Sequence, residues 1–127
     1  MFHKFSLGWR AESERHGNWH VMTLHPPGDV FSEAPTLSDE LWTVLKNHDV
    51  QLVALDMHPL TLLPSSLMGV LVRIHKRLAK AGGVLHLCCL NEHCREALRV
   101  CHLDRVLPVF ADREAAIRGA VEAEFPA

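Results

Sequence analysis

Two adjacent serines, Ser65 and Ser66, lie where an apolar segment gives way to a helical pattern, and they are the residues best placed to do chemistry. A hydroxyl at a helix N-terminus lies beside unpaired backbone N–H groups and the positive end of the helix dipole. The fold would therefore tolerate a phosphate on Ser65, which would add about −1.5 to −2 charges to the surface. The alternative is that Ser65 or Ser66 only caps the helix, a role worth about 1 kcal/mol, and Pro64 fits such a helix start.

A hydrolase with a serine nucleophile is the second chemistry that these residues could perform. The residues around Ser65 do not form the Gly-x-Ser-x-Gly motif, and no histidine or acid is marked as a partner. The chain has ten histidines, so a histidine nearby means little, and His58 and His75 would be the first candidates. We expect no enzymatic activity.

Metal binding is the third chemistry, since four cysteines lie close together in the sequence: Cys88, Cys89, Cys94 and Cys101. Adjacent Cys88 and Cys89 would point to opposite faces of a strand, which separates them as ligands. A pair formed by His86 and Cys88 is geometrically conceivable with a third ligand from His93 or Cys94. We expect reduced thiols packed as small apolar side chains, no metal and no cofactor.

Length and composition bound the class of protein. The 127 residues suffice for one domain, 1–127, and its hydrophobic fraction of 48% is ordinary for a globular protein. The net charge of −2, with histidines neutral, creates no global field for nucleic acid or an anionic membrane. No apolar run approaches the roughly 18 residues of a membrane span, and the N-terminus lacks the pattern of a signal peptide. We therefore expect a cytoplasmic protein.

The elements that position the serines follow from hydrophobic periodicity. Two N-terminal strands, Phe5–Glu14 and Asn18–His25, are predicted around a turn at residues 15–18. A helix is predicted after Pro35. The next strand, Gln51–Met57, is apolar almost throughout, which is typical of a strand covered on both faces of a parallel sheet.

The serines open a predicted helix, Ser65–Ala81. Its apolar residues form one buried stripe: Leu67, Leu71, Ile74, Leu78 and Ala81. Its basic residues form a second stripe: Arg73, Lys76, Arg77 and Lys80. The basic stripe is either a solvated face or a patch that orients an acidic partner. Because no aromatic residues accompany it, nucleic acid is not an expected partner.

The remaining pattern completes an alternation of strands and helices. After the glycine pair at 82–83 we predict four elements in this order: the strand Val84–Leu90, the helix Glu92–Cys101, the short strand Leu107–Phe110 and a helix after Asp112. The predicted N-caps of the two helices are Asn91 and Asp112. Such alternation through short loops predicts an α/β sandwich, with a mixed, mostly parallel sheet of about four or five strands and about four helices.

This order of elements, and the motifs along it, resemble the STAS domain of bacterial anti-sigma factor antagonists over residues 15–121. Asp56 matches the family's usual strand-end aspartate, and Ser65 matches its phosphorylated serine. Ser66 matches the small neighbour of that serine, and Gly69 matches the last glycine of the motif. The pattern continues in three downstream segments: 75–78, 82–83 and 103–106.

The resemblance implies a STAS-like domain that works by protein–protein contact. Its partner would be an ATPase-type serine kinase/anti-sigma factor that competes with a sigma factor, and a homodimer is a further partner to consider. Unphosphorylated protein would bind the kinase and free the sigma factor, and phosphorylation of Ser65 (Ser66 being the weaker candidate) would reverse this. The contact surface would be Ser65, Ser66, Met68, Gly69, Arg73 and Lys76. The alternative is a ligand-binding or scaffold STAS module in a signalling assembly, without a phosphorylation switch.

Two residues at the junction depart from the family pattern. Pro64 replaces an aspartate that could orient or deprotonate the attacking hydroxyl, and proline can do neither. Leu67 replaces a glycine, and it either adds bulk to the docking surface or belongs to the buried stripe. These changes indicate a divergent member with a rewired partner or an unswitched state.

Overall fold

The computed structural model describes residues 1–28, 36–47 and 52–122. A six-stranded sheet runs in the order β1-β2-β3-β4-β5-β6. Its strands are β1 (Phe2–Lys4), β2 (Arg10–His16), β3 (Trp19–His25), β4 (Leu52–Asp56), β5 (Val84–Cys88) and β6 (Val109–Phe110). The α-helices are α1 (Leu37–Asn47), α2 (Ser65–Lys80), α3 (Glu92–Val100) and α4 (Arg113–Glu122), and two short 3-10 helices span Ser6–Gly8 and Leu103–Arg105.

The sheet is mixed. β1, β2 and β3 pair antiparallel, whereas β3, β4, β5 and β6 pair parallel. The β2–β3 hairpin turns at Gly17, whose φ of +62° is a conformation that glycine adopts without strain. Parallel neighbours need crossover connections, and α1, α2 and α3 lie in them. The predicted α/β class with a mixed, mostly parallel sheet is confirmed.

The N-terminal region differs from the prediction. The predicted strand Phe5–Glu14 is wrong at its start, because Ser6–Gly8 forms a 3-10 helix and β2 begins at Arg10. The residues before that helix form β1, which pairs with β2 at the edge of the sheet and raises the number of strands to six. A strand as short as β1 carries no apolar alternation that would reveal it. Gln51, predicted to begin the central strand, lies outside the described residues.

Most of the core lies between one face of the sheet and α1, α2 and α3. Four members of the α2 stripe are buried there, which confirms the predicted periodicity: Leu67, Leu71, Ile74 and Leu78. Ala81, the fifth predicted member, is exposed, because α2 ends at Lys80 and the chain turns away.

α4 covers the opposite face of the sheet over a smaller cluster that contains Trp19, Val21, Ala54, Cys88 and Ala116. The predicted cap of α4 is confirmed, since the Ala115 N–H donates to the Asp112 carboxylate at 2.8 Å. None of the described helices combines the length and apolar character that a membrane crossing requires.

Candidate functional site

The segment between β4 and α2 brings the serine pair to the carboxyl edge of the sheet. The Met57 N–H donates to the Cys88 carbonyl in β5 at 3.0 Å, and the Leu60 N–H donates to the Met57 carbonyl at 3.0 Å. The chain then reaches Pro64, whose carbonyl accepts the first hydrogen bonds of α2. The start of α2 is therefore anchored to the ends of two parallel strands.

Ser65 and Ser66 form the first turn of α2, and both are exposed. Pro64, in an extended conformation with φ −65° and ψ 158°, occupies the N-cap position, and no side chain within the described residues caps this end. The interpretation of either serine as the cap is therefore wrong. Both serines lie at the positive end of a 16-residue helix, and neither hydroxyl caps that end.

The residues that follow the serines divide between core and surface. Leu67 is 1% exposed and belongs to the main core, so its departure from the family glycine is a packing substitution. Met68 is partly buried against the same core. At Gly69 a Cβ atom would lie 3.4 Å from the Arg73 guanidinium, an ordinary van der Waals contact, so the packing around this position does not itself require glycine.

The basic stripe of α2 is not a uniform surface. Arg73 donates from Nε to the Ser38 hydroxyl at 3.2 Å, which ties it to α1. Arg77 donates to the α1 carboxylate of Asp39 at 2.6 Å, and its guanidinium lies 5.9 Å from the Trp42 ring centroid. The other two basic side chains, those of Lys76 and Lys80, are exposed. Three of the six predicted contact residues are thus exposed and have no described hydrogen bond to α1: Ser65, Ser66 and Lys76.

Asn91 holds the segment that leads to the serines. Its side-chain oxygen accepts the Cys94 N–H at 2.7 Å, which confirms the predicted cap of α3. Its side-chain nitrogen also donates to the Thr61 carbonyl at 3.2 Å and to the Leu60 carbonyl at 3.5 Å. One side chain therefore caps α3 and fixes the approach to α2, and the sequence pattern indicated only the first of these roles.

Replacing Asn91 by alanine removes both functions and is expected to lower the free energy of unfolding by about 2 kcal/mol, since a lost N-cap alone costs about 1 kcal/mol. Urea denaturation followed by circular dichroism measures the change. Asn91→Asp keeps the capping oxygen and loses the donors to the loop, so it should cost less than the alanine variant. Equal stabilities of the alanine variant and the wild type would contradict this role of Asn91.

A buried ion-pair network lies at the same edge of the sheet, on the face that α4 covers. Asp56 is 3% exposed, and its carboxylate accepts from Arg113 Nε at 2.7 Å. It also accepts from the backbone N–H and the Nδ1 of His58, each at 2.9 Å. Arg113 donates to the Thr23 hydroxyl at 2.6 Å and pairs with Glu14. The guanidinium therefore connects β2, β3 and β4, a role that the sequence analysis missed.

Electrostatics keep Asp56 ionised. Burial would raise the pKa of its carboxyl, but hydrogen bonds from the His58 amide, Arg113 and the His58 ring bring that pKa below its ordinary value. The His58 ring is thus engaged with Asp56, and neither Ser65 nor Ser66 has a hydrogen bond from a histidine in the described part of the chain. Neither Ser65 nor Ser66 therefore has, among the described residues, the histidine partner that a hydrolase nucleophile requires; the described serine–histidine hydrogen bond joins His3 and Ser13, at the β1–β2 edge of the sheet.

The cysteines are arranged differently from the expectation. β5 ends at Cys88, and Cys89 adopts a left-handed φ of 66°, so strand alternation stops there. The thiols of Cys88 and Cys89 and the Asp56 carboxylate consequently lie within 4.8 Å of one another. The expectation that Cys88 and Cys89 lie on opposite faces is therefore wrong. Burial raises the pKa of both thiols above the ordinary value.

The ligand set considered from the sequence does not form. His86 is buried on the α4 face, donates from Nδ1 to the Ala116 carbonyl at 2.9 Å, and packs 4.9 Å from the Trp19 ring centroid. Cys94 is buried in the main core, on the other face of the sheet, and His93 is exposed. Burial lowers the pKa of His86, so its role here is to dock α4 in the neutral form.

Comparison with known proteins agrees with this architecture. A family model described as the STAS domain matches residues 11–116. The crystal structure of an anti-sigma factor antagonist from Mycobacterium paratuberculosis is similar with a TM-score of 0.73 and 17% identity, over 91% of this chain and 97% of that chain. A structure described as the molecular architecture of the stressosome, a signal integration and transduction hub, has a TM-score of 0.68 and 16% identity, over 89% and 98% of the two chains.

The Bacillus cell fate determinant SpoIIAA in its phosphorylated form is also similar, with a TM-score of 0.57 and 16% identity, over 85% of this chain and 97% of that chain. Sequence identities this low establish a similarity of fold and nothing further. No curated protein matches this chain significantly in sequence.

Proposed function

The chain belongs to the STAS domain family, and from that premise we propose that it is a regulatory domain of the anti-sigma factor antagonist type. In this proposal it acts in the bacterial cytoplasm by binding an ATPase-type serine kinase/anti-sigma factor, and it has no catalysis of its own. The observation that carries the proposal is the exposed Ser65 in the first turn of α2, where Pro64 has already taken the N-cap position.

A phosphate on Ser65 suits this location. The first turn of α2 offers the positive end of the helix dipole, which favours an anion and leaves the fold intact. The same phosphate adds about −1.5 to −2 charges next to the docking surface, which disfavours an acidic or apolar partner. The unphosphorylated domain would therefore bind the kinase and free the sigma factor, and phosphorylation would reverse the exchange.

Pro64 changes what the kinase must supply. The family aspartate at this position could orient the serine hydroxyl, whereas proline offers no side-chain acceptor. In this chain the base that receives the hydroxyl proton must then come from the kinase, as the catalytic-loop aspartate provides it in protein kinases. The proposed contact surface on the domain is Ser65, Ser66, Met68, Gly69, Arg73 and Lys76.

Three baits test the proposal in ATP-depleted lysate of the native cell, which keeps the wild-type bait unphosphorylated: wild type, Ser65→Ala and Ser65→Asp. We expect wild type and Ser65→Ala to capture an ATPase-type kinase and Ser65→Asp to lose it by at least about tenfold, the equivalent of 1.4 kcal/mol. After ATP is added back, the wild-type bait should release the kinase and phosphopeptide mapping should find the phosphate on Ser65. Asn18→Asp is the matched control, because it adds the same charge at the exposed β2–β3 turn, outside the proposed contact surface, and it should capture the kinase as the wild type does.

The scaffold alternative is favoured by one observation, the proline that replaces the family aspartate. If the chain is a STAS module without a switch, all the baits should capture the same partners, and Ser65 should carry no phosphate. That outcome would overturn the switch and leave a scaffold or ligand-binding role in a signalling assembly. Analytical ultracentrifugation of the purified chain tests the homodimer that the family resemblance brings into consideration.

A further inference from the structure

Three potential ligand atoms converge at the carboxyl edge of the sheet, on the α4 face. Asp56 ends β4 and Cys88 ends β5, and the two residues are register partners across the parallel pair. Cys89 follows directly. The carboxylate of Asp56 and the two thiols lie within 4.8 Å of one another, the spacing of ligands around a common ion.

The backbone brings the second thiol into this group. Consecutive residues of a continuing strand would point to opposite faces. Cys89 instead adopts φ 66°, a left-handed conformation that costs a non-glycine residue about 1–3 kcal/mol. The surrounding structure holds this conformation, and it keeps the Cys89 thiol beside the buried thiol of Cys88. Cys89 is itself half-buried, so the cluster has a side that solvent reaches.

The hydrogen bonds of Asp56 leave its carboxylate able to serve as a ligand. One oxygen of Asp56 accepts twice from His58, whereas the other accepts from Arg113, and that second oxygen retains a free lone pair.

We infer that Cys88, Cys89 and Asp56 form a binding site for a thiophilic divalent cation of the zinc class. Two thiolate sulfurs and one carboxylate oxygen are ligands that zinc accepts, and three protein ligands leave one tetrahedral position for water or another ligand. This inference is independent of the proposed switch, because Ser65 opens a helix that packs on the opposite face of the sheet.

Charge balance supports the assignment. Binding of a divalent cation replaces two thiol protons, so the ion enters and two protons leave with no change in net charge. The ion, two thiolates and the Asp56 carboxylate together carry one negative charge, which the Arg113 guanidinium offsets. Arg113 also pairs with the half-exposed Glu14, whose charge is the same with and without the ion, so binding leaves the net charge of the cluster unchanged.

The test titrates the reduced full-length chain with Cd²⁺, followed by the thiolate-to-cadmium charge-transfer absorption, and with Zn²⁺ by isothermal calorimetry. We expect one ion per chain. Loss of even an outer-shell partner weakens metal sites by about 10–100-fold, so Cys89→Ser and Cys88→Ala should each weaken binding by more than about 100-fold. Cys101→Ser, which removes an exposed thiol outside the cluster, should bind as the wild type does.

Circular dichroism of each variant establishes that it is folded, and Cys89→Ser remains the decisive variant if the fully buried Cys88→Ala does not fold. Unchanged cadmium absorption in Cys89→Ser would overturn the inference. So would loss of binding in Cys101→Ser, which would locate the ion among surface thiols. Absence of stoichiometric binding in the reduced wild type would overturn it as well.

Discussion

Replacing Leu67 by glycine, the residue that the family pattern has at this position, is expected to lower the free energy of unfolding by about 4 kcal/mol. Leu67 is 1% exposed and lies in the main core between α2 and the sheet. Removing its side chain loses apolar burial and opens a cavity, which costs about 2.7–5.0 kcal/mol for leucine to alanine. Glycine adds up to about 1 kcal/mol through the lower helix propensity. Restoring the family glycine at this position should thus destabilise the folded state of this protein.

Chemical denaturation of Leu67→Gly, Leu67→Ala and Leu67→Met measures this effect. The methionine variant conserves side-chain volume and should lose less than about 1.5 kcal/mol. Since Leu67 is buried, Leu67→Met should also leave partner capture unchanged. A glycine variant as stable as the wild type would contradict the packing role and return Leu67 to the docking surface.

Replacing Arg113 by methionine is expected to lower the free energy of unfolding by about 3 kcal/mol, because one partner of a buried pair is removed. Asp56, 3% exposed, would keep its charge without the guanidinium, and the hydroxyl of Thr23 would lose its donor. The estimate is at the low end of the usual range because 36% of the Arg113 side chain is exposed to solvent.

Arg118→Met is the matched control for Arg113→Met. Arg118 lies on the same helix, is 61% exposed and pairs with Glu114 at 3.3 Å, an exposed ion pair of small energetic value. Its replacement should change stability by less than about 0.5 kcal/mol. Asp56→Asn combined with Arg113→Met should recover part of the loss, because the buried charge is then absent. Equal effects of the two arginine variants would contradict the importance of the Asp56 network.

The local pattern of the sequence was sufficient for the four α-helices and for strands β2 to β6 in their order, though not for β1. The spacing of Leu67, Leu71, Ile74 and Leu78 predicts α2 because a helix brings such residues onto one face. Apolar runs predict β4 and β5 because strands covered on both faces exclude polar residues. The STAS resemblance follows from the same order of elements. All these signals connect residues that are close in the chain, which is why they are readable without coordinates.

Tertiary structure alone decided the ion-pair network around Asp56 and the grouping of the two thiols. Arg113 meets Asp56 across 57 residues, and nothing local in the sequence relates them. The left-handed Cys89 brings two thiols together where alternation predicts separation, because the strand has already ended. Periodicity indicated which face of α2 is apolar, but not that α1 would engage Arg73. These contacts depend on how elements pack in three dimensions, which local spacing does not determine.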